Sequence, residues 1–390
     1  MSRGAGLWIG LSVVWVPLAF LFDGVTVLVL PLRVGDASTL GLVSLVGLGM
    51  GAGLQPVAGW LSDRLRDRVD RRTFLAVAAV PAIFGLWLLV GTTGLAAAIA
   101  GYVVIQAAAS AMQAAQQTLI PEHLDRVEQG RASGLKTTFD VGGSFLAFLV
   151  LGALLASGDA VAAAAVITVL VVAALVLVFV LVPNRQRLRR PVRPSLRLPD
   201  GLGALILARF LFLFATYGVG RFLVLLVGER LRLAPSQAVG GAAALLALFT
   251  LATAASALPV GWLADRQSRR DLMVAGAAIA AAGIAMLVPS TGLPGVLAGG
   301  LLMSVGTAAF VTANWAATTT LVARDDAGRL MGIANLGTGL AAAAAGALGP
   351  LIDAAGFGPA LLVAATASAA AALPVLIHPA PLGSPRESAA

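Results

Sequence analysis

Of the 390 residues, 59% are apolar and only 11% are charged. A soluble globular protein carries roughly 25% charge, so this composition excludes an ordinary water-facing surface and describes an integral membrane protein. A bilayer-crossing helix needs about 20 apolar residues, so the chain has room for about twelve and none for a large soluble domain.

Other counts exclude whole classes of chemistry. With no Cys there is no disulfide framework, thiolate metal site or cysteine nucleophile. The two histidines, His123 and His378, leave little material for histidine-based metal or triad chemistry. The single lysine, Lys136, follows Gly134-Leu135, so the phosphate-cradling GxxxxGK[ST] loop is absent. No metal and no cofactor is expected, and the chain is not expected to be an enzyme. The net charge of +8 is not taken as a nucleic-acid footprint, because the placement of the arginines accounts for it.

In chain order, apolar runs bounded by charge, Pro or Gly predict spans over 7–32, 38–61, 73–92, 95–119, 132–157, 160–182, 201–228, 236–262, 271–289, 293–321, 330–352 and 357–377. The first run is too long for the apolar core of a signal peptide and is read as a span. Between the sixth and seventh lies Asn184 to Arg197, polar, with two internal prolines and six arginines, which cannot cross lipid. This divides the chain into a six-helix bundle over 1–183, a basic linker over 184–200 and a second six-helix bundle over 201–390.

Loops on the linker's side hold 18 arginines, among them Arg64, Arg66, Arg68, Arg71 and Arg72, while the opposite loops hold three, Arg33, Arg230 and Arg232. Cytoplasmic loops carry the basic excess, so both termini and the linker are expected in the cytoplasm, in a multi-pass protein of the cytoplasmic membrane.

The two halves repeat each other. Gly59-Trp-Leu-Ser-Asp63-Arg64 after the second span matches Gly261-Trp-Leu-Ala-Asp265-Arg266 after the eighth, and Gly130-Arg131-Ala-Ser-Gly134 entering the fifth matches Gly328-Arg329-Leu-Met-Gly332 entering the eleventh. The offsets, 202 and 198, make this a duplicated half. These elements resemble the major facilitator superfamily, whose loop 2–3 signature is G-x-x-x-D-[RK]-x-G-x-[RK]-[RK] with a weaker copy in loop 8–9. The first copy here runs longer than that pattern and lacks its second Gly, and the second copy has Ser268 there. The resemblance implies an all-α fold of twelve transmembrane helices in two pseudo-symmetric bundles. It also implies that Gly59, Asp63, Arg64, Gly261, Asp265 and Arg266, with Arg131 and Arg329, form a cytoplasmic gate. Physically, a Gly at a span's end lets helices approach, and Asp followed by Arg offers charges to helix termini or acidic lipid. Arg66 to Arg72 are read as topology signals.

Ionisable groups inside spans cost roughly 2.5–3.5 kcal/mol on insertion scales and are functional candidates by default. Asp23 and Arg221 lie 198 residues apart, the repeat offset, and are expected to be pseudo-equivalent; Lys136 and Asp140 share a helical face at i, i+4. Asp23 and Asp140 are the expected proton-coupling carboxylates, with Lys136 and Arg221 completing a charge network; Arg209 is read as interfacial. On the fourth span Tyr102, Gln106, Ser110, Gln113, Gln116 and Gln117 form a polar stripe, and on the tenth Ser304, Thr307, Asn314 and Thr318 do, with Trp315 beside them. Gln106, Gln113, Gln117, Tyr217, Asn314, Trp315, Thr318 and Asn335 are the expected substrate contacts. Gly47, Gly49, Gly51 and Gly53 are read as helix-contact residues.

Together these features lead to the expectation of a secondary transporter, working by alternating access, coupled to protons and functional as a monomer. Amide and aromatic groups suit hydroxyl recognition and ring stacking, so the expected cargo is a sugar or glycoside, with helix 7 loosely similar to glycoside and sucrose-type branches. A proton-coupled drug or metabolite exporter is the alternative; exporters of the superfamily resemble one another in a G-P-x-x-G-G element on helix 5, and Asp140-Val-Gly-Gly-Ser here has no Pro, which weighs against it. A membrane sensor or scaffold would lack an output domain.

Overall fold

The computed structural model describes residues 3–65, 68–124, 126–184, 199–264, 266–321 and 327–377. Among them every element is helical. Twelve helices are long and apolar enough to cross a bilayer: α1 (Ala5–Val34), α2 (Ala37–Ser62), α3 (Arg71–Gly91), α4 (Leu95–Ile120), α5 (Gly134–Ala156), α6 (Ala160–Leu181), α7 (Leu202–Arg221), α8 (Pro235–Ala264), α9 (Arg269–Leu287), α10 (Leu293–Leu321), α11 (Ile333–Ala355) and α12 (Phe357–Ile377). All-helical spans are what lipid demands, since every backbone N–H and C=O must be satisfied within its own segment. Most of the expected linker, residues 185–198, lies outside the described residues.

The chain forms two compact units. One comprises Met1–Gly35, Val46–Arg193 and Pro235–Ala244; the other comprises Asp36–Leu45, Pro194–Ala234 and Leu245–Ala390. The first turns of α2 therefore cluster with the unit that holds α9 to α12, and those of α8 with the unit that holds α3 to α6.

The repeat legible in the loops extends into the packing. Gly85 of α3 and Gly101 of α4 face each other so closely that a Cβ on either would sit 2.7 or 2.6 Å from the other's carbonyl oxygen. Gly283 of α9 and Gly299 of α10, each 198 residues on, form the same reciprocal contact at 2.6 and 2.7 Å. Such small-residue seams substitute for the hydrophobic driving force that helices lack inside lipid. Asp70 caps the N-terminus of α3 by accepting from Thr73 N–H at 2.6 Å, and Ser268, again 198 on, caps α9 from Asp271 N–H at 3.4 Å. Burial raises the pKa of the Asp70 carboxyl, but the bonds from Thr73 and Arg72 outweigh it and hold the group below its usual range. The contribution of this cap is complete above about pH 4, the unfolded value, and is lost as pH falls through the lower folded one.

The arginines opening α3 and α9 do more than set topology, which corrects the sequence reading of Arg71 and Arg72. Arg72 Nη1 donates to Val182 O at 2.9 Å, just beyond α6, and Arg270 Nη2 donates to Leu376 O at 3.1 Å in the last turn of α12. Both place a cation where a helix presents unpaired carbonyls and the negative end of its dipole. Arg71, 6% exposed, pairs with Glu122, 7% exposed, at 3.3 Å and also bonds Ser62. Its counterpart Arg269 donates to Ala316 O and Thr320 Oγ1 at 3.3 and 3.2 Å, Thr320 standing where Glu122 does in the repeat. Removing one partner of a buried ion pair costs more than the pair contributes, because the other charge is stranded. Arg71→Ala is therefore expected to cost about 3 kcal/mol, read as a lowered thermal unfolding midpoint in detergent, and adding Glu122→Gln should recover much of it. An unchanged midpoint in the single variant would contradict this.

α1 departs most from regular geometry. Its first helical piece ends at Gly10, residues 11–14 form a turn, Trp15–Ala19 is α-helical, and Phe20–Val29 is π-helical before Leu30–Val34 resumes. Pro17 has no N–H to offer Val13 O, which instead accepts from Val16 N–H at 3.1 Å. The π stretch closes with Leu30 N–H bonded to Val25 O, a five-residue step. π segments are uncommon and concentrate at functional sites; this one contains Asp23.

Candidate functional site

In the first unit α1 and α5 hold the intramembrane charges. α5 approaches α1 through Gly143, whose Cβ would lie 2.9 Å from Val16 Cα, and Gly24 on α1 leaves room for Leu151. Across this seam Ser144 Oγ donates to Asp23 Oδ2 at 2.5 Å, and the same hydroxyl lies 3.2 Å from Asp140 O one turn back on α5. The charges acting on Asp140 are those of Lys136 and Asp23. Lys136 Nζ stands 3.7 Å from the centroid of the Trp15 ring on α1, a cation–π contact. Asp23, Lys136 and Asp140 are all half-buried, so the three residues form one cluster spanned by a serine that the sequence reading did not single out.

The glutamine stripe of α4 divides. Gln106 is fully buried and donates to Thr26 Oγ1 at 3.1 Å, with Tyr102 OH at 3.1 Å from the same hydroxyl. Gln116 donates to Leu11 O at 2.6 Å. Gln113 is half-buried and accepts from Gln55 Nε2 at 3.3 Å, and Gln117 is half-buried beside it in sequence. Gly47 and Gly51 of α2 make room for Tyr102 and Ser110, where a Cβ would lie 2.5 and 2.6 Å from side-chain atoms; at Gly53 a Cβ would meet nothing within 4 Å.

The second unit shows related struts with different charges. Asn314 of α10, 198 residues after Gln116, donates to Leu205 O of α7 at 3.1 Å, as Gln116 does to α1. Thr318, buried, donates to Asn314 O at 2.8 Å. Asn335 is half-buried and Tyr217 is 37% exposed. Phe212 and Phe310 stack with centroids 4.0 Å apart, joining α7 to α10. Arg221, 4% exposed, ends α7 at Phe222, beyond which the helix restarts as Leu223–Leu231. Asp23 and Arg221 thus both lie where their helices leave regular α geometry. Arg209 is only 3% exposed, with its guanidinium carbon 3.7 Å from the centroid of the Trp315 ring. This corrects the interfacial reading of Arg209.

The repeated loop motif places an arginine over a tryptophan in both copies. Arg64 lies over Trp60 at 5.2 Å and Arg266 over Trp262 at 3.3 Å from the ring centroids. The two tryptophans are 56% and 57% exposed, so both copies leave the ring open at the protein surface. A Cβ on Gly59 or Gly261 would meet no atom within 4 Å, so close helix approach, the expected reason for these glycines, is not met here. Asp265 and the side chains of Asp63, Arg131 and Arg329 lie outside the described residues.

Twelve bilayer-length helices, a plan repeated in its two halves and charges buried among the spans define a polytopic membrane protein of duplicated architecture. The chain belongs to the Major Facilitator Superfamily, whose family model matches residues 9–249 and 205–390. It is similar in structure to a POT family transporter in complex with a thioalcohol-conjugated peptide, at 13% identity and a TM-score of 0.78, over 97% of this chain and 96% of that one. It is similar to a D-xylose–proton symporter at 15% identity and a TM-score of 0.74, over 97% and 98% of the chains. A nucleoside transporter matches at 13% identity and a TM-score of 0.71, over 97% and 99%. These identities establish the fold alone. No functionally curated protein matches the chain.

Proposed function

We propose that the chain is a secondary active transporter that moves a small polar solute, a sugar or glycoside, across the cytoplasmic membrane by alternating access coupled to protons. It acts as a monomer with both termini in the cytoplasm. The observation that carries this reading is the cluster of Asp23, Ser144, Asp140 and Lys136, two carboxylates held inside membrane spans. A carboxylate in low dielectric is an efficient proton carrier, because burial brings neutral and charged forms closer in energy. Ser144 is the moving part. While Asp23 is charged, the serine hydroxyl donates to Asp23 Oδ2 and ties α5 to α1; once Asp23 takes a proton, that bond weakens and the hydroxyl can turn to Asp140 O. Proton uptake thereby loosens one helix seam.

For the solute, Gln113, Gln117, Asn335 and Trp315 are the favoured contacts because they are half-buried. Gln106 and Asn314 have their amide nitrogens committed within their bundles, which favours a supporting role for both.

A thermal-shift screen of the detergent-solubilised protein against sugars, sugar acids, amino acids and lipophilic cations tests the substrate class. Stabilisation by hydroxylated solutes is expected; stabilisation by lipophilic cations alone would replace this reading with that of a drug exporter.

A further inference from the structure

Arg209 is buried with part of its hydrogen-bonding capacity unmet. Its Nε and Nη1 are buried and make no hydrogen bond among the described residues. Among the described residues the acids of this unit, Asp36, Asp200, Glu229, Asp271 and Asp353, are all exposed, and Asp353 accepts from Ala37 N–H and Ser38 N–H at 3.3 and 2.7 Å. The guanidinium carbon instead lies 3.7 Å from the centroid of the Trp315 ring. Cation–π attraction offsets only part of the cost of burying an arginine, and its Nε and Nη1 donors, which lie in the guanidinium plane, remain unused among the described residues. A guanidinium with unused N–H donors suits an oxygen of a carboxylate or phosphate through a charge-assisted hydrogen bond.

We infer that Arg209 is the binding site for an anionic group on the transported solute, a carboxylate or a phosphate, with Trp315 as the flat wall that orients the guanidinium. This rests on the transport reading above and narrows it: the cargo is a hydroxylated solute that also bears an acid. The two units then divide the work. The first unit's acids handle protons, and the second unit's buried cation handles the anion. A lipophilic cation is disfavoured by the same charge.

The test uses the full-length purified protein and a matched set of glucose, glucuronate and glucose 6-phosphate, with binding measured by calorimetry in detergent. At least one of the two anionic sugars is expected to bind tenfold or more tightly than glucose, and which one binds distinguishes carboxylate from phosphate. Arg209→Gln should erase that preference, and Arg209→Lys should retain part of it. Should Arg209→Gln fail to fold, the wild-type comparison and Arg209→Lys still decide. Equal binding of the three, binding of glucose only, or a preference unchanged in the variants would overturn the inference. Counterflow in proteoliposomes separates the two claims: exchange of none of the three overturns the transport reading itself, whereas exchange of glucose with no advantage for either anion overturns only the anion site.

Discussion

Replacing Asp140 by Asn is expected to lower solute accumulation driven by a pH gradient at least tenfold, while exchange of solute down its own gradient persists. Asn keeps the size and hydrogen-bonding capacity of the side chain but cannot take up or release the proton. The separation of the two activities is the informative part, because a folding defect would lower both. Asp23→Asn should act in the same direction with a smaller loss of coupling and an added structural effect. Its amide no longer presents the charged oxygen to which Ser144 donates at 2.5 Å, and charge-assisted bonds are roughly twice as strong as neutral ones. Ser144→Ala removes the tie without removing a titrating group. It should therefore leave coupling in place while lowering turnover. Loss of both driven and downhill transport in Asp140→Asn, in protein that unfolds at the wild-type temperature, would contradict the proton role.

The second large effect is expected at the start of α2. Within the second unit, a Cβ on Gly41 would lie 2.1 Å from Gly346 O, and one on Gly349 would lie 2.0 Å from Ala37 O. These are backbone atoms, so no side-chain rearrangement relieves the overlap, and overpacking of this kind costs about 1–3 kcal/mol or more. The same end of α2 is held by Asp353, which accepts from Ala37 and Ser38 N–H and satisfies two of the four donors that a helix N-terminus leaves open. Gly41→Leu should push α2 from α11, exclude the conformation described here and reduce turnover tenfold or more while solute binding is retained. The chain contains no Cys, so Ser38→Cys gives a single reporter without background. Its reaction with a membrane-impermeant maleimide should speed up when Gly41→Leu is added; an unchanged rate would mean that the contact is not a gate.

Much of the fold was legible because it follows from solvent and duplication. Hydropathy marks every span, since lipid tolerates little else, and the loop motifs around Asp63 and Asp265 expose the repeat. The deeper symmetry, Gly85 and Gly101 against Gly283 and Gly299, was equally present in the sequence at an offset of 198. It escaped notice because glycines are numerous here and only contact shows which of them meet. The site was legible in residue type but not in partnership. Rarity of charge singled out Asp23, Lys136 and Asp140, yet Ser144 and Trp15, which bind them, are ordinary residues in an apolar helix. Arg209 was misread because hydropathy reports depth along a helix and is silent about which side faces Trp315. Gln116 and Asn314 occupy matching positions in the repeat, and each donates to a backbone carbonyl of the first helix of its half, Leu11 O and Leu205 O, which only the packing reveals. The π segment of α1 left no signature beyond Pro17 and Pro31 on either side.

The central claim, a proton carrier built on Asp23 and Asp140, is tested most directly in proteoliposomes enclosing a pH-sensitive dye. With no imposed gradient, adding solute outside should acidify the lumen in wild-type vesicles, as protons enter with it, and Asp140→Asn should abolish the change while labelled solute still enters. Solute entry without any change of lumenal pH in the wild type, or an acidification unaltered in both Asp23→Asn and Asp140→Asn, would contradict the account.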